Sequence, residues 1–158
     1  MENLVLRLAK SDDLAADLGL YKGLRPDDPE LPTELAQTRW REVTGGEHSI
    51  ITVGEVDGVI AATCMLALIA NLASGGRQIG LIEHVVTASP FRQRGFAKRA
   101  LAFTLDHAWA ARCCKVLLLS DAQRAEAHRL YEAVGFCGDI ERGFVIKAPP
   151  DPLGASID

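Results

Sequence analysis

The chain has 158 residues, enough for one domain with a sizeable core and too few for a second independent one. Hydrophobic residues make up 48% and charged residues 24%, which sets aside disordered, collagen-like and coiled-coil chains. Seventeen Lys and Arg against twenty-one Asp and Glu leave a net charge of -4, so the chain is not a general nucleic-acid binder, and any anion site must be local.

The elements follow in order. Residues 4–8 (LVLRL) read as a strand, and Ser11-Asp12-Asp13 cap a helix running to about Tyr21, with acids at its positive end. Three prolines between Arg25 and Pro32 forbid helix there, and Thr33 starts a second helix to about Val43. Ser49–Val53, a turn at Val56-Asp57-Gly58 and Val59 to about Leu72 form an antiparallel hairpin with Asp-Gly as its turn signal. Gln78–Thr87 is β-rich and ends at Ala88-Ser89-Pro90. From Arg94 to about Ala111 a helix follows, with Ala97, Leu101, Thr104, Leu105 and Ala108 on one face. Lys115–Ser120 is a short buried strand, Arg124–Val134 a helix closed by Gly135, and Phe144–Lys147 a last strand. The tail from Ala148 onward is read as loose. The order β-α-α-β-β-β-α-β-α-β implies an α/β (α+β) domain, a mixed sheet covered by helices, spanning residues 1–147.

The uncharged stretch from Gly58 to Gly76 is strongly apolar only from Val59 to Ala70, which suits a long strand better than a membrane span of roughly 20 residues. The N-terminus carries Glu2, Arg7 and Lys10 and lacks the apolar run of a signal peptide. The four cysteines show no C-x-x-C spacing and the four histidines no ligand spacing, so the expectation is a cytoplasmic protein with free thiols and no metal.

A concentrated exception to the negative charge lies at Arg92-Gln93-Arg94-Gly95-Phe96-Ala97-Lys98-Arg99, four cations without an acid at a strand-to-helix junction. The first N–H groups of a helix have no intrahelical partners, and the helix dipole adds positive charge, so this junction is an anion seat. Gly95 and Ala97 are small enough to let a phosphate reach several N–H groups at once. Neither a P-loop nor a dinucleotide fingerprint is present, which argues against nucleotide hydrolysis. A solvated basic first turn is the simpler alternative.

These residues match the signature [QR]-x-x-G-x-[GA] at Arg92–Ala97, and Leu130-Tyr131-Glu132-Ala133-Val134-Gly135-Phe136 reproduces a second motif, LYE-x-x-GF. On both, the chain resembles the GNAT superfamily of acyl-CoA-dependent N-acetyltransferases, over roughly residues 48–147. The resemblance implies a mixed, mostly antiparallel central sheet flanked by helices, and acetyl-CoA as cosubstrate. It also implies that Val85, Val86 and Thr87 line the pantetheine arm while Arg92, Gln93, Arg94, Gly95, Phe96, Ala97 and Lys98 hold the pyrophosphate. Where the family commonly has Asn, seven residues before the Tyr, this chain has Arg124, which either reaches the adenosine phosphate or faces solvent.

Acyl transfer from a thioester to an amine needs a proton acceptor for the amine and a donor for the thiolate. The resemblance gives the donor role to Tyr131, whose structural alternative is packing against Phe136. Glu83 interrupts an apolar strand, so it faces a water-filled cleft as the base or belongs to a structural salt bridge. Some family members, the glucosamine-phosphate acetyltransferases among them, have a similar IE-x-VV strand. Because strand side chains alternate, Glu83 and His84 are not expected to share one cleft, and His84 is the second choice. His128, three residues before Tyr131, either orients it or is structural.

The function implied is N-acetylation of a primary amine on a small molecule or peptide by direct attack, with no nucleic-acid or membrane partner and with a homodimer compatible with the chain. A noncatalytic acyl-CoA-binding sensor or regulatory module is the alternative. The acceptor is expected among the first helices, their loop and a final hairpin, where Asp27, Asp28 and Glu30 either attract a cationic amine or are solvated.

Overall fold

The computed structural model describes residues 3–149. One mixed sheet of five strands runs in sequence order: β1 (Val5–Leu8), β2 (Ser49–Val56), β3 (Val59–Ile69), β4 (Ile79–Thr87) and β5 (Lys115–Leu118). The first four are antiparallel neighbours and β5 joins β4 in parallel. Four helices complete the layers: α1 (Leu14–Leu24), α2 (Thr33–Thr44), α3 (Phe96–Ala110) and α4 (Ala125–Val134).

The two faces of the sheet carry different cores, as alternation along strands requires. Cys64, Leu66 and Ile82 meet Leu101 and Ala108 of α3, with Leu130, Tyr131 and Val134 of α4 packed around them. On the opposite face Ile51 and Val53 meet Trp40 of α2, with Leu14 and Met65 at the margin. Leu101 is fully buried, so its truncation to Ala costs about 2–5 kcal/mol. Thr104 and Thr52, both fully buried, satisfy each other across the α3–β2 contact at 2.8 Å.

Helix entry follows side-chain chemistry near the N-terminus. Asp13 accepts the Lys10 backbone N–H at 2.7 Å and both terminal nitrogens of Arg7, which also reaches Glu55 at 2.8 Å. These bonds to Arg7 hold the Asp13 carboxyl below the usual carboxylate range. The acidic cap expected at Ser11–Asp13 is thus a single 3₁₀ turn locked onto β1.

Three expectations are corrected. The helix expected from Arg94 starts at Phe96, because Gly95 at φ +75° is left-handed and stops it from extending backward. Side-chain alternation fails in β4, where two residues, His84 and Val85, stand opposite the single residue Cys64. No strand forms at Phe144–Lys147. Gly143 lies against Leu119, just past the end of β5, and the residues beyond it find no strand to pair with. Phe144, Val145 and Ile146 are left 88%, 66% and 96% exposed. The expected loose tail lies, from residue 150 onward, outside the described residues. Among the described residues no helix is long and apolar enough to cross a membrane.

Candidate active site

The site is built where two parallel strands part. β4 and β5 pair only from Ile79–Lys115 to Ile82–Leu118, yet β4 continues to Thr87. Beyond Ile82 its one edge stays on β3, through Val86 opposite Thr63 and Thr87 opposite Ala62, while the other has lost its neighbour. Backbone groups of Val85, Val86 and Thr87 therefore line an opening suited to an extended, amide-bearing ligand arm. Val86 is buried, and the Thr87 hydroxyl is buried without a hydrogen-bond partner.

The chain then turns into α3 through Ala88, a 3₁₀ turn at Ser89–Phe91, and two left-handed residues, Gln93 at φ +60° and Gly95 at φ +75°. Left-handed residues inside a turn swing successive N–H groups toward one side and create an anion-binding concavity. The first intrahelical bond of α3 runs from Arg99 N–H to the Gly95 carbonyl at 3.1 Å, so the N–H groups of Phe96, Ala97 and Lys98 precede it. A Cβ built on Gly95 meets nothing within 4 Å, leaving open space beside these donors. That space and those N–H groups fit a pyrophosphate.

The cations of this segment divide their tasks. Arg92 donates to the Thr87 carbonyl at 3.1 Å, Arg94 to the Pro90 carbonyl at 2.7 Å while stacking on Phe91, and Arg99 to the Leu4 carbonyl at 3.0 Å. Phe96 turns its ring into the core, so it offers a ligand only its backbone. Lys98 is exposed on the first turn.

Tyr131 of α4 is half-buried against the core on the α3 face of the sheet, edge-on to Phe136 at 6.2 Å between centroids. Burial holds its phenol above the ordinary value of 10.0, with Cys64 and Glu83 adding to the rise and Arg124 opposing it. The phenol is thus a neutral O–H donor across the physiological range, and Arg124, at the entrance to α4, stands near enough to act on it. His128 does not orient Tyr131: its Nε2 is bonded to the Asp121 carbonyl at 2.8 Å and ties the helix to the preceding loop.

Glu83 is exposed and opposes Met65. Directly opposed residues point to the same face, so Glu83 lies on the side of α1 and α2. The bulge puts His84 there too, at φ +54°, with its ring 4.7 Å from that of Tyr21 in α1. The two ionisable residues thus share the side that alternation denies them. Beneath them is Asp17, which is 1% exposed and makes no hydrogen bond through either carboxylate oxygen. Its burial raises the carboxyl pKa, against the nearby Thr63 and Tyr21 hydroxyls and the charge of His84. Asp17 and Tyr21 are absent from the sequence-based candidates, although an acid on the apolar stripe of Leu20 and Leu24 was a legible signal. No group of His, Cys, Asp and Glu among the described residues is arranged to hold a metal.

A family model described as the acetyltransferase (GNAT) family matches residues 18–136. A glucosamine 6-phosphate N-acetyltransferase of Trypanosoma brucei brucei is 27% identical over 134 residues, covering 85% of this chain and 89% of the relative. A solved structure from Agrobacterium tumefaciens str. C58, assigned as an acetyltransferase, is 33% identical, superposes with a TM-score of 0.85, and covers 91% of this chain and 99% of its own. An aminoglycoside N-acetyltransferase solved with coenzyme A shares the fold at a TM-score of 0.78 and 19% identity, covering 94% of this chain and 96% of its own.

Proposed function

The chain belongs to the GNAT acetyltransferase family and is an acyltransferase, and from that premise we propose that it moves acetyl from acetyl-CoA to the primary amine of a small molecule. The observation that carries the reading is the continuity of the open β4 edge at Val85–Thr87 with the left-handed turn and the free N–H groups of α3. In this reading the edge pairs with the pantetheine amides, and the N–H groups of Gly95 to Lys98 hold the pyrophosphate. Gln93 and Lys98 frame the pyrophosphate, while Arg92 and Arg94 brace the loop beneath it. Arg124 faces the cosubstrate from the start of α4.

Bound there, acetyl-CoA supplies the thioester carbonyl for attack. Glu83 accepts the amine's proton directly or through water, and Tyr131 donates its O–H proton to the departing thiolate. The exposure of Glu83 and the neutral phenol of Tyr131 support these roles. The relatives named for glucosamine 6-phosphate and aminoglycosides support an amine-bearing sugar as the first acceptor to test. Four free thiols support a cytoplasmic location. A homodimer is supported by the exposed apolar side chains of Phe144, Val145 and Ile146 and by the free outer edge of β5, along which a groove of about 1440 Å³ opens.

The test is coenzyme A release from acetyl-CoA with a panel of amines, glucosamine 6-phosphate and aminoglycosides included, alongside acetyl-CoA titration. Amine-dependent release supports the enzyme. Binding without release from any amine would favour the noncatalytic sensor.

A further inference from the structure

The side of β4 that faces α1 holds two structural costs in one place. His84 adopts a left-handed backbone at φ +54° within a strand, a conformation that residues other than glycine rarely take. Next to it the Asp17 carboxyl and the Tyr21 hydroxyl are buried close together without a well-formed hydrogen bond, where a buried polar group is ordinarily paired. The bulge that creates the first cost brings the imidazole against Tyr21 and within reach of the Asp17 charge. It also leaves His84 half-buried, beside the exposed Glu83 and next to the opening in the sheet. A histidine used only to form the bulge needs no buried carboxyl behind it.

We propose that His84, held by the ring of Tyr21 and backed by Asp17, is a second proton acceptor for the amine and works beside Glu83. The inference rests on the acetyl-transfer reading and goes beyond it by giving α1 a part in the chemistry. One N–H bond of the protonated amine is cleaved, and its electron pair becomes the lone pair that forms the N–C bond as the C–S bond breaks. The proton bonds to an imidazole nitrogen of His84, from which Glu83 or water takes it, and the acylated nitrogen loses its second proton to water. The thiolate receives its proton from Tyr131. The titratable groups facing the imidazole are Asp17 and Tyr21 from α1 and Glu83 from β4. β3 adds the Thr63 hydroxyl on the same face, and Cys64 lies on the other. In this scheme Asp17 and Tyr21 are positioning residues.

The experiment uses the full chain, acetyl-CoA and the amine that gives the fastest coenzyme A release, from pH 6 to 9. The wild type is compared with His84→Asn and His84→Gly, both tolerant of a positive φ, and with Asp17→Asn. Both His84 variants are expected to lose about 10²-fold in turnover at low pH, to approach wild type where the amine is already neutral, and to keep their acetyl-CoA affinity. Added imidazole should restore His84→Gly, and Asp17→Asn should show a smaller loss with the same pH dependence. Wild-type turnover in both His84 variants would overturn the proposal. So would a pH-independent loss without imidazole rescue, or failure of both variants to fold, since each assigns the ring to structure alone. A wild type that binds acetyl-CoA but acetylates no amine would instead overturn the acetyl-transfer reading, and this inference with it.

Discussion

The two sides of the site are made of different material. On the α3 side the groups available to a ligand are backbone N–H and C=O, shaped by Gln93, Gly95 and the end of a strand pairing. On the α1 side they are the side chains of His84 and Glu83 at a strained bulge, with Tyr21 and the buried Asp17 behind them. A backbone-built seat needs little from side-chain identity beyond small residues, and it recognises a ligand by shape and charge. A seat built from side chains can be retuned one residue at a time, so in the proposed reading acceptor specificity falls on the α1 side and cosubstrate binding on the α3 side.

Tyr131 packs on the α3 face of the sheet, within the electrostatic reach of Glu83, and its removal should have the largest effect. Tyr131→Phe keeps the ring against Phe136 and deletes only the donor, so turnover is expected to fall by about 10²–10⁴-fold, or roughly 3–5 kcal/mol of barrier. Steady-state kinetics, a melting curve and an acetyl-CoA titration on one sample decide it. Normal turnover, or inactivity caused by unfolding, would return Tyr131 to the core. Next in size is Glu83→Gln, expected to lower turnover by about 10²-fold below the amine's own pKa and much less above it. A pH–rate profile identical to wild type would remove Glu83 from the reaction.

The smallest effect concerns the stability cost of the α1 side. Because burial raises the Asp17 carboxyl pKa, the folded chain binds more protons than the unfolded one between the ordinary value near 3.8 and the raised value. Wild-type stability therefore falls as pH rises through that window, then holds level as far as this residue is concerned. Asp17→Asn does not titrate, so denaturation midpoints should shift in its favour across the window, even though the variant is slower. A constant difference between the two proteins at all pH values would contradict the burial cost.

Much of this was legible in the sequence where local signals agreed. Gly95 and the cation run marked the turn into α3, and the apolar stripe through Leu101 and Ala108 marked the helix face. The bulge at His84 was not legible, because a one-residue excess in β4 over β3 is a property of the pairing and not of either strand. The last strand failed for a related reason: Phe144-Val145-Ile146 has strong β-propensity, but a strand exists only where an edge receives it. Asp17 stands on the apolar stripe of Leu20 and Leu24, which is a legible signal of an unusual acid, but how deeply it is buried follows only from the packing of α1 on β3 and β4.

The central claim is that the turn at Gly95 and the first N–H groups of α3 form the acetyl-CoA seat. Calorimetric titration of acetyl-CoA into wild type and Gly95→Val, with melting curves of each, tests it most directly. Valine at φ +75° is strained, and it fills the space next to the donors. Wild type should bind and gain about 2.7 kcal/mol of stability at a ligand concentration a hundredfold above Kd. The variant should stay folded without ligand and show no such gain. Equal affinity in the two proteins would contradict the account.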